Sequence, residues 1–299
     1  MKKVFKWIGI VLGSLVGLII VAGLALFLIG NAHLNKTYDV PLSNIVIPTD
    51  EASIEFGKHR VETLCQACHG QDLSGKNLFT DDSLGSIDSA NLTTGEGGVG
   101  REFTSDEDYV RAIRHGINPE GKPIFMSAVN STSQLSDEDL GAIIAYLKTI
   151  LPVDHVTNGV RFKPLAKILF GAGMFGKLPA EAISHEIHVT APERGASVEY
   201  GGYLVSTNDC HDCHGQELAG AKFPDQSISL ITPNLTPGGE VGFWSEEEFI
   251  NTIRTGITPS GHQLSEHMPW ETYKYFTDDE LKAIYMYLRS LPKLKQYTP

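Results

Sequence analysis

Basic residues are few in this 299-residue chain, which has 24 Lys and Arg against 36 Asp and Glu and a formal net charge of −12. An acidic balance of this kind argues against nucleic-acid binding. Cysteine is scarcer still, with four residues in the whole chain. No βαβ pattern surrounds any of them, which argues against a thioredoxin-like redox motif.

The four cysteines lie in two matching runs, Cys65-Gln66-Ala67-Cys68-His69 and Cys210-His211-Asp212-Cys213-His214. Covalent attachment of a c-type haem requires this spacing, because two thiols one helical turn apart meet the two vinyl groups and the next residue brings an imidazole to the iron. Structural disulfides and a zinc site are the alternatives, and neither explains the histidine after each pair. The sequence thus predicts two covalently bound haem c groups. The expected attachment and iron-binding residues are Cys65, Cys68, His69, Cys210, Cys213 and His214.

Charge is absent from one long run, residues 7–30, which is predominantly apolar. A helix of this length spans a bilayer, whereas the apolar core of a signal peptide usually has about 7–15 residues. Lys2, Lys3 and Lys6 precede the run, so the positive-inside rule places the N-terminus in the cytoplasm and the rest on the periplasmic side. We expect a single-pass anchor in the cytoplasmic (inner) membrane, with a cleaved signal peptide as the alternative. Either way, both haem motifs lie outside the cytoplasm.

Two stretches of the chain repeat each other, which indicates a duplicated unit. The matching segments include Glu55-Phe56-Gly57 with Glu199-Tyr200-Gly201, Asn91-Leu92-Thr93 with Asn234-Leu235-Thr236, and Ile113-Arg114-His115-Gly116 with Ile253-Arg254-Thr255-Gly256. We therefore expect two units of similar size. The predicted organisation is an anchor at 1–30, a linker at 31–50, a first haem domain at 51–152, an interdomain linker at 153–195 and a second haem domain at 196–299.

Both units are predicted to be helical, so the expected fold class is all-α, with a transmembrane helix followed by two tandem haem domains. In each unit a helix begins near Ser105 or Ser245, where acidic residues favour the helix dipole, and ends at a glycine suited to a left-handed cap. A last helix begins at Ser136 or Thr277, with an acidic residue three positions on, as in a capping box. The linker has an amphipathic patch at 165–175 that we expect to pack between the units. A loosely ordered linker is the alternative.

Histidine ligation leaves the opposite face of each iron to be filled, and a methionine thioether closes that face and raises the reduction potential. Met126 and Met268 occupy the same place in the two repeats, so we expect them as the sixth ligands. Ordinary apolar packing is the alternative for both. Two more repeated pairs are candidate donors to haem propionates, with a solvent-exposed role as the alternative. They are Asn91 with Asn234, and Arg114 with Arg254.

The second unit resembles class I cytochrome c domains in Asn234-Leu235-Thr236-Pro237, in His267-Met268-Pro269-Trp270 and in the run from Tyr287 to Pro292. In particular, residues from about 51 to 299 are similar to the membrane-bound cytochrome c subunits of bacterial alcohol, aldehyde and gluconate dehydrogenases. The resemblance implies all-α domains with His/Met iron at the outer face of the cytoplasmic membrane, passing electrons from a dehydrogenase towards a quinone or an oxidase. Those subunits typically have three haem motifs, whereas this chain has two, and its anchor is N-terminal.

We therefore expect a membrane-anchored dihaem electron carrier without catalytic residues, rather than an enzyme. Its partners would be redox proteins, and the acidic surface favours partners that dock through a basic one. The alternative is a dihaem redox enzyme, such as a peroxidase or a thiosulfate-type oxidoreductase, in which one haem keeps an open face.

Overall fold

The computed structural model describes residues 2–41, 44–125, 128–186, 189–224 and 228–298. Its helices are, in chain order, α1 (Lys2–Leu34), α2 (Glu51–Leu64), α3 (Gln66–His69), α4 (Asp106–His115), α5 (Val129–Thr132), α6 (Asp137–Leu147), α7 (Pro164–Gly171), α8 (Pro179–Ala182), α9 (Val198–Thr207), α10 (Cys210–His214), α11 (Glu246–Thr255), α12 (Trp270–Tyr273) and α13 (Asp278–Ser290). Its strands are β1 (Asn77–Asp81), β2 (Gly85–Asp88) and β3 (Val160–Phe162). The helices dominate, which confirms the main feature of the predicted fold class.

Helix α1 is the one helix in the described part of the chain that is long and apolar enough to cross a membrane. Its apolar side chains are largely exposed, with Leu18 67% and Val21 66% accessible. Exposure of this kind is costly in water and is the normal state of side chains that face lipid. The helix therefore supports the predicted membrane anchor.

The two units share one packing feature, a close crossing of the helix before the cysteines with the last helix of the unit. In the first unit, a Cβ added to Gly57 of α2 would overlap the backbone carbonyl of Ala142 in α6. In the second, a Cβ added to Gly201 of α9 would overlap the carbonyl of Ala283 in α13. Glycine is the residue that permits such backbone contact. This crossing explains why the repeated segments before the cysteines both end in glycine.

The predicted helix ends are confirmed in both units. Ser105 and Ser245 are the N-caps of α4 and α11, and Gly116 and Gly256 end these helices with φ of 63° and 72°. Ser136 and Thr277 likewise cap α6 and α13, and each side chain accepts a hydrogen bond from the backbone N–H three residues on. The capping signals in the sequence therefore fix where α4, α6, α11 and α13 begin.

A small antiparallel sheet in the first unit was not predicted. Strands β1 and β2 form a hairpin, and β3 pairs with the other edge of β2. Asp81 stabilises the hairpin turn, because its carboxylate accepts hydrogen bonds from the N–H groups of Ser83 and Leu84 at 2.7 Å each. Because β3 comes from the predicted linker, part of that linker is built into the first unit.

The amphipathic patch of the linker packs elsewhere than expected. It forms α7, and this helix lies along the C-terminal half of α1 instead of between the two haem units. Phe170 of α7 also contacts Phe125 and Phe162 of the first unit, with ring centroids 6.2 and 5.1 Å apart. The expected position between the units was wrong for α7, because its apolar face packs against the end of α1 and against aromatic side chains of the first unit.

Candidate haem-binding sites

Each Cys-x-x-Cys-His run lies at the end of a helix and forms a short helix of its own. In the first unit, α2 ends at Leu64 and the run continues into α3; in the second, the run forms α10 after α9. None of the four cysteines is in a disulfide. Within the described ranges, no group of three or more His, Cys, Asp and Glu side chains is arranged to hold a metal ion. The disulfide and zinc alternatives therefore receive no support from the geometry.

The two motif histidines are oriented in the same way. His69 Nδ1 donates a hydrogen bond to the backbone carbonyl of Ala90 at 2.7 Å, and His214 Nδ1 donates to that of Pro233 at 2.8 Å. Such a bond fixes the tautomer and leaves Nε2 as the free nitrogen, the usual arrangement of a metal-binding histidine. Burial lowers the pKa of both imidazoles. Both therefore stay neutral near pH 7, as an iron ligand must.

The repeated asparagines hold the loops that supply those two carbonyls. Asn91 Nδ2 donates to the carbonyls of Val153 and His155 at 2.7 and 3.1 Å, and its Oδ1 accepts from the N–H of Thr93. Asn234 repeats the pattern, donating to the carbonyl of Leu294 at 2.9 Å and accepting from a backbone N–H two residues on. Both amides are thus engaged in positioning the histidine loop. Their binding of propionates stays a prediction.

The repeated arginines connect α4 to the start of α6 in the first unit and α11 to the start of α13 in the second. Arg114 donates to the carboxylate of Asp137 at 2.6 Å and to the carbonyl of Leu135 at 2.7 Å, and it is 3% exposed. Arg254 donates to Asp278 at 2.8 Å and to the carbonyl of Lys274. In both units the arginine fixes the start of the last helix. Contact with a propionate stays a prediction for these residues too.

The structure places one of the two candidate methionines. Met268 is half-buried and packs against the core of the second unit, which Cys210 also contacts. Its N–H donates to the carbonyl of Ser265 at 2.9 Å, so a tight turn holds it just before α12. Met126, the predicted sixth ligand of the first unit, lies outside the described residues. Iron ligation by either methionine stays a prediction.

A cavity of about 1360 Å³ lies beside the motif of the first unit. This volume exceeds the range of about 300–1000 Å³ that is common for small-ligand pockets. The cavity fits a porphyrin, because the two thiols and the imidazole of the motif stand at its wall and most of the lining is apolar. The lining residues include Cys65, Cys68, His69, Leu92, Phe103, Tyr109, Ile113, Ile124, Phe125 and Leu135.

The two motifs meet at the interface between the units. Burial, and the negative charge of the second unit's Asp209, raise the pKa of Cys68 in the first unit. The N–H of Asp209 donates to the Ser131 hydroxyl of the first unit at 3.0 Å, and Asn130 donates to Asp212 at 2.7 Å. Burial raises the pKa of the Asp209 carboxyl to about 6. Two haems attached here would therefore be neighbours.

A buried charge network holds this interface together. Arg60, which is fully buried, lies 3.4 Å from the Asp139 carboxylate and donates to Thr207 of the second unit at 3.0 Å. Tyr203 of the second unit donates to Asp139 at 2.8 Å. At the edge, His59 lies 2.8 Å from Glu280 of the second unit. The interface is therefore specified by hydrogen bonds that neither unit can satisfy alone.

Sequence reasoning missed Asp209 and the Arg60 network. A charged residue on the apolar face of α2 was the one available signal for Arg60, since a charge there needs a buried partner. The partner residues are distant in sequence, so the pattern does not name them. Asp209 directly precedes a cysteine, and nothing in the spacing distinguishes it from a surface carboxylate.

Comparison with known families separates the same two units. Residues 52–147 match the family model described as cytochrome c oxidase, cbb3-type, subunit III, and residues 198–292 match the model for cytochrome c. Both units are cytochrome c-type domains. Each cytochrome c domain contains one Cys-x-x-Cys-His motif, and together they account for two haem c groups.

The relatives are cytochrome subunits of dehydrogenases. The fructose dehydrogenase cytochrome subunit of Gluconobacter japonicus is 28% identical over 76% of this chain and 50% of its own length. The cytochrome c subunit of the quinone-linked alcohol dehydrogenase of Gluconobacter oxydans is 26% identical over 83% of this chain and 56% of its own length. The gluconate 2-dehydrogenase cytochrome c subunit of Pantoea cypripedii is 34% identical over 31% of this chain and 22% of its own length. The chain thus spans about half the length of the first two relatives.

Proposed function

We propose that this chain is a membrane-anchored dihaem cytochrome c that transfers electrons between redox partners. The observation that supports the proposal most directly is the identical setting of His69 and His214, each with Nδ1 bonded to a carbonyl and Nε2 free. The four motif cysteines would hold the two haems covalently. When bound, a haem supplies reversible one-electron chemistry at its iron.

The protein's own contribution to this function is orientation and exclusion of water. The carbonyls of Ala90 and Pro233 keep each imidazole in one tautomer, and the asparagine-held loops keep those carbonyls in place. Most of the first cavity is lined by apolar side chains, so a haem held there would shield the iron ligand from water. The interface around Asp209 brings the two motifs together, which favours transfer of electrons within the chain over diffusion of separate carriers.

We further propose a dehydrogenase subunit as the electron donor, since the relatives are cytochrome subunits of such enzymes. The acceptor would be a membrane quinone, an oxidase or another cytochrome. Exposed Glu266 and Glu271 flank Met268, so the region around the second motif presents negative charge to a partner. A basic docking surface is the matching chemistry for that partner, and it would act mainly on the rate of association.

The haem domains are proposed to lie on the periplasmic side of the cytoplasmic membrane. The three lysines before the span place its N-terminus in the cytoplasm, and c-type haem attachment occurs outside it. A C-terminal alkaline phosphatase fusion should be active and a C-terminal green fluorescent protein fusion dark. The opposite pattern would refute this orientation.

Spectroscopy of the purified full-length chain tests the proposal. We expect a mass increased by two haems, two reversible one-electron steps in a redox titration, and oxidised spectra in which both haems keep the weak red sulfur-to-iron charge-transfer band. Rapid binding of cyanide by either haem, or turnover of peroxide, would instead identify an open iron face and favour the enzyme alternative. His69→Gly and His214→Gly are the matched variants, and each should perturb one haem spectrum and leave the other.

A further inference from the structure

Helix α7 packs antiparallel to the C-terminal end of α1, the end that follows the predicted membrane span. A Cβ added to Gly30 of α1 would overlap the Lys167 carbonyl, and one added to Gly171 would overlap the carbonyl of Leu26. The C-terminal end of α7, at Gly171, therefore lies beside Leu26 of α1, whereas its middle, at Lys167, lies beside Gly30. Following α7 from Pro164 to Gly171 thus leads back towards the membrane-spanning part of α1.

The length of α1 sets the depth of this contact. Its 33 residues correspond to about 50 Å at 1.5 Å per residue, whereas the hydrocarbon core of a bilayer is about 30 Å thick, or about 20 residues. Because Lys6 precedes the apolar run, a span that begins at Trp7 leaves the hydrocarbon near Leu26. Gly171 packs at this level, so the turn that follows it lies at or below the lipid boundary.

The turn after α7, residues 172–177, has the composition of a membrane-inserting tip. Met174 is 71% exposed and Phe175 is 44% exposed, next to three glycine positions that leave the backbone unshielded by side chains. The segment around this turn has a positive net charge, unlike the chain as a whole. No acidic residue occurs between Asp154 and Glu181, whereas this stretch contains Arg161, Lys163, Lys167 and Lys177 in an otherwise acidic protein. Exposed apolar side chains beside basic ones are the chemistry of a surface that binds anionic lipid.

Polar contacts fasten this segment to the end of α1, so the two move together. Lys167 Nζ donates to the side-chain oxygen of Asn31 at 2.8 Å. Beyond α7, Glu181 of α8 accepts from His33 at 2.8 Å and from Tyr38 at 2.7 Å. The orientation of α7 relative to the membrane is therefore set by α1.

We propose that α7 and its turn form a second membrane contact, in which Met174 and Phe175 insert into the outer leaflet and Lys177 meets anionic headgroups. The first haem cavity would then be held at a fixed height and tilt above the bilayer, because its wall includes Leu34, Lys167 and Leu178. A quinone or a membrane protein would consequently meet this domain from one direction. The proposal rests on α1 spanning the membrane.

Cysteine labelling of the full-length holoprotein in phosphatidylglycerol-containing nanodiscs tests the proposal. The four native cysteines are thioethers in the holoprotein and do not react with maleimide. The reaction rate of a single introduced cysteine with a water-soluble maleimide therefore measures the exposure of that position. We expect Met174→Cys to react at least about tenfold more slowly than Leu165→Cys, at the start of α7, and than Phe243→Cys in the second unit. Leu165 and Phe243 are 45% and 80% exposed in the chain alone.

Equal rates at positions 174 and 243 would overturn the proposal. So would protection at position 174 that arises only when a membrane extract is added, because a partner protein would then be the occupant. Leu18→Cys distinguishes failure of the anchor from failure of the second contact. If position 18 is protected while position 174 is not, α1 spans the membrane and the second contact is wrong. If position 18 also reacts rapidly, the anchor is wrong as well.

Two further variants test the cause. Gly171→Val should raise the rate at position 174 by disrupting the crossing of α7 with α1, whereas Gly17→Val, at a glycine with nothing within 4 Å, should not. Lys177→Glu should raise it by at least roughly fivefold in anionic nanodiscs, the factor expected for loss of one basic residue at such a surface, and not in neutral ones. Lys295→Glu, in the C-terminal segment, is the matched control. Unchanged rates with Gly171→Val and Lys177→Glu would contradict the proposed contact.

Discussion

The first cytochrome c domain is enclosed by more of the chain than the second. It is flanked by the sheet of β1, β2 and β3, by the end of α1 and by α7, and several of these segments contribute to the wall of its haem cavity. In the second domain the segment around Leu294 and Gln296 closes the histidine loop, as Val153 and His155 do in the first. Both domains nevertheless orient the motif histidine through the same carbonyl contact. Orientation of the iron ligand is therefore the duplicated feature, and the surroundings of each haem are where the two domains have diverged.

The largest expected effect comes from the helix crossing that the domains share. Gly201→Val would place side-chain atoms in the backbone of α13 near Ala283, and Gly57→Val would do the same to α6 near Ala142. We expect each variant to cost at least about 3 kcal/mol of unfolding free energy, because neither helix can move without opening its core. Urea unfolding of the purified holoprotein, followed by far-UV circular dichroism, measures the effect.

Measuring the haem content of each domain in the two glycine variants shows whether the domains fold independently. A loss of haem from one domain alone would show that the domains fold independently, whereas loss from both would show that the interface couples them. Gly195→Ala is a suitable control, because its added Cβ would meet nothing within 4 Å, although its φ of 143° makes a small loss expected. A Gly201→Val protein with wild-type stability would contradict the close crossing.

An effect of similar size is expected at the interface. Asp139→Asn should destabilise the protein by about 3–5 kcal/mol, because Arg60 would keep its buried charge without the matching carboxylate. Glu138→Gln is the matched control at the neighbouring position, since Glu138 is exposed and pairs with Arg194 at the surface. It should change the stability by about 1 kcal/mol or less. Similar losses in the two variants, measured by urea unfolding, would show that the buried carboxylate of Asp139, which pairs with Arg60 and accepts from Tyr203 of the second unit, does not stabilise the fold.

Asp209 should make the stability of the protein depend on pH. Burial raises the pKa of its carboxyl from 3.8 to about 6, so the folded protein keeps a proton that the unfolded chain releases between those values. Stability should therefore fall as the pH rises from about 4 to about 6, by up to about 3 kcal/mol at 1.36 kcal/mol per pKa unit, and then level off.

Asp209→Asn removes this ionisation, since the amide stays neutral throughout. Its unfolding free energy should vary less with pH than that of the wild type, and the two proteins should be nearly equal near pH 4. Urea titrations at intervals between pH 4 and pH 7 measure the difference. Parallel pH profiles for the two proteins would show that the carboxyl is not buried at the interface.

Local signals in the sequence predicted the helices and the haem motifs, whereas contacts between distant segments stayed hidden. Ser105 and Gly116 define α4 through capping chemistry that involves only neighbouring residues. The five-residue motifs were equally readable, because haem attachment requires their spacing. By contrast, β3 needs a partner strand more than 70 residues away in the chain, and Arg60 needs Asp139 and Thr207. Periodicity and composition contain no information on which distant residues will meet.

The smallest expected effect on stability, and the most direct test of the iron ligands, comes from the methionines. Met268→Ala should remove the sulfur-to-iron charge-transfer band of one haem and lower its reduction potential, because the thioether favours the reduced iron. Met126→Ala should do the same to the other haem. Met174→Ala is the control, since that exposed side chain is remote in sequence from both motifs, and it should leave both haem spectra unchanged. If neither Met268→Ala nor Met126→Ala alters the band or the potentials, both sixth ligands are misassigned. If only one does, the two domains differ at the iron itself as well as in their surroundings.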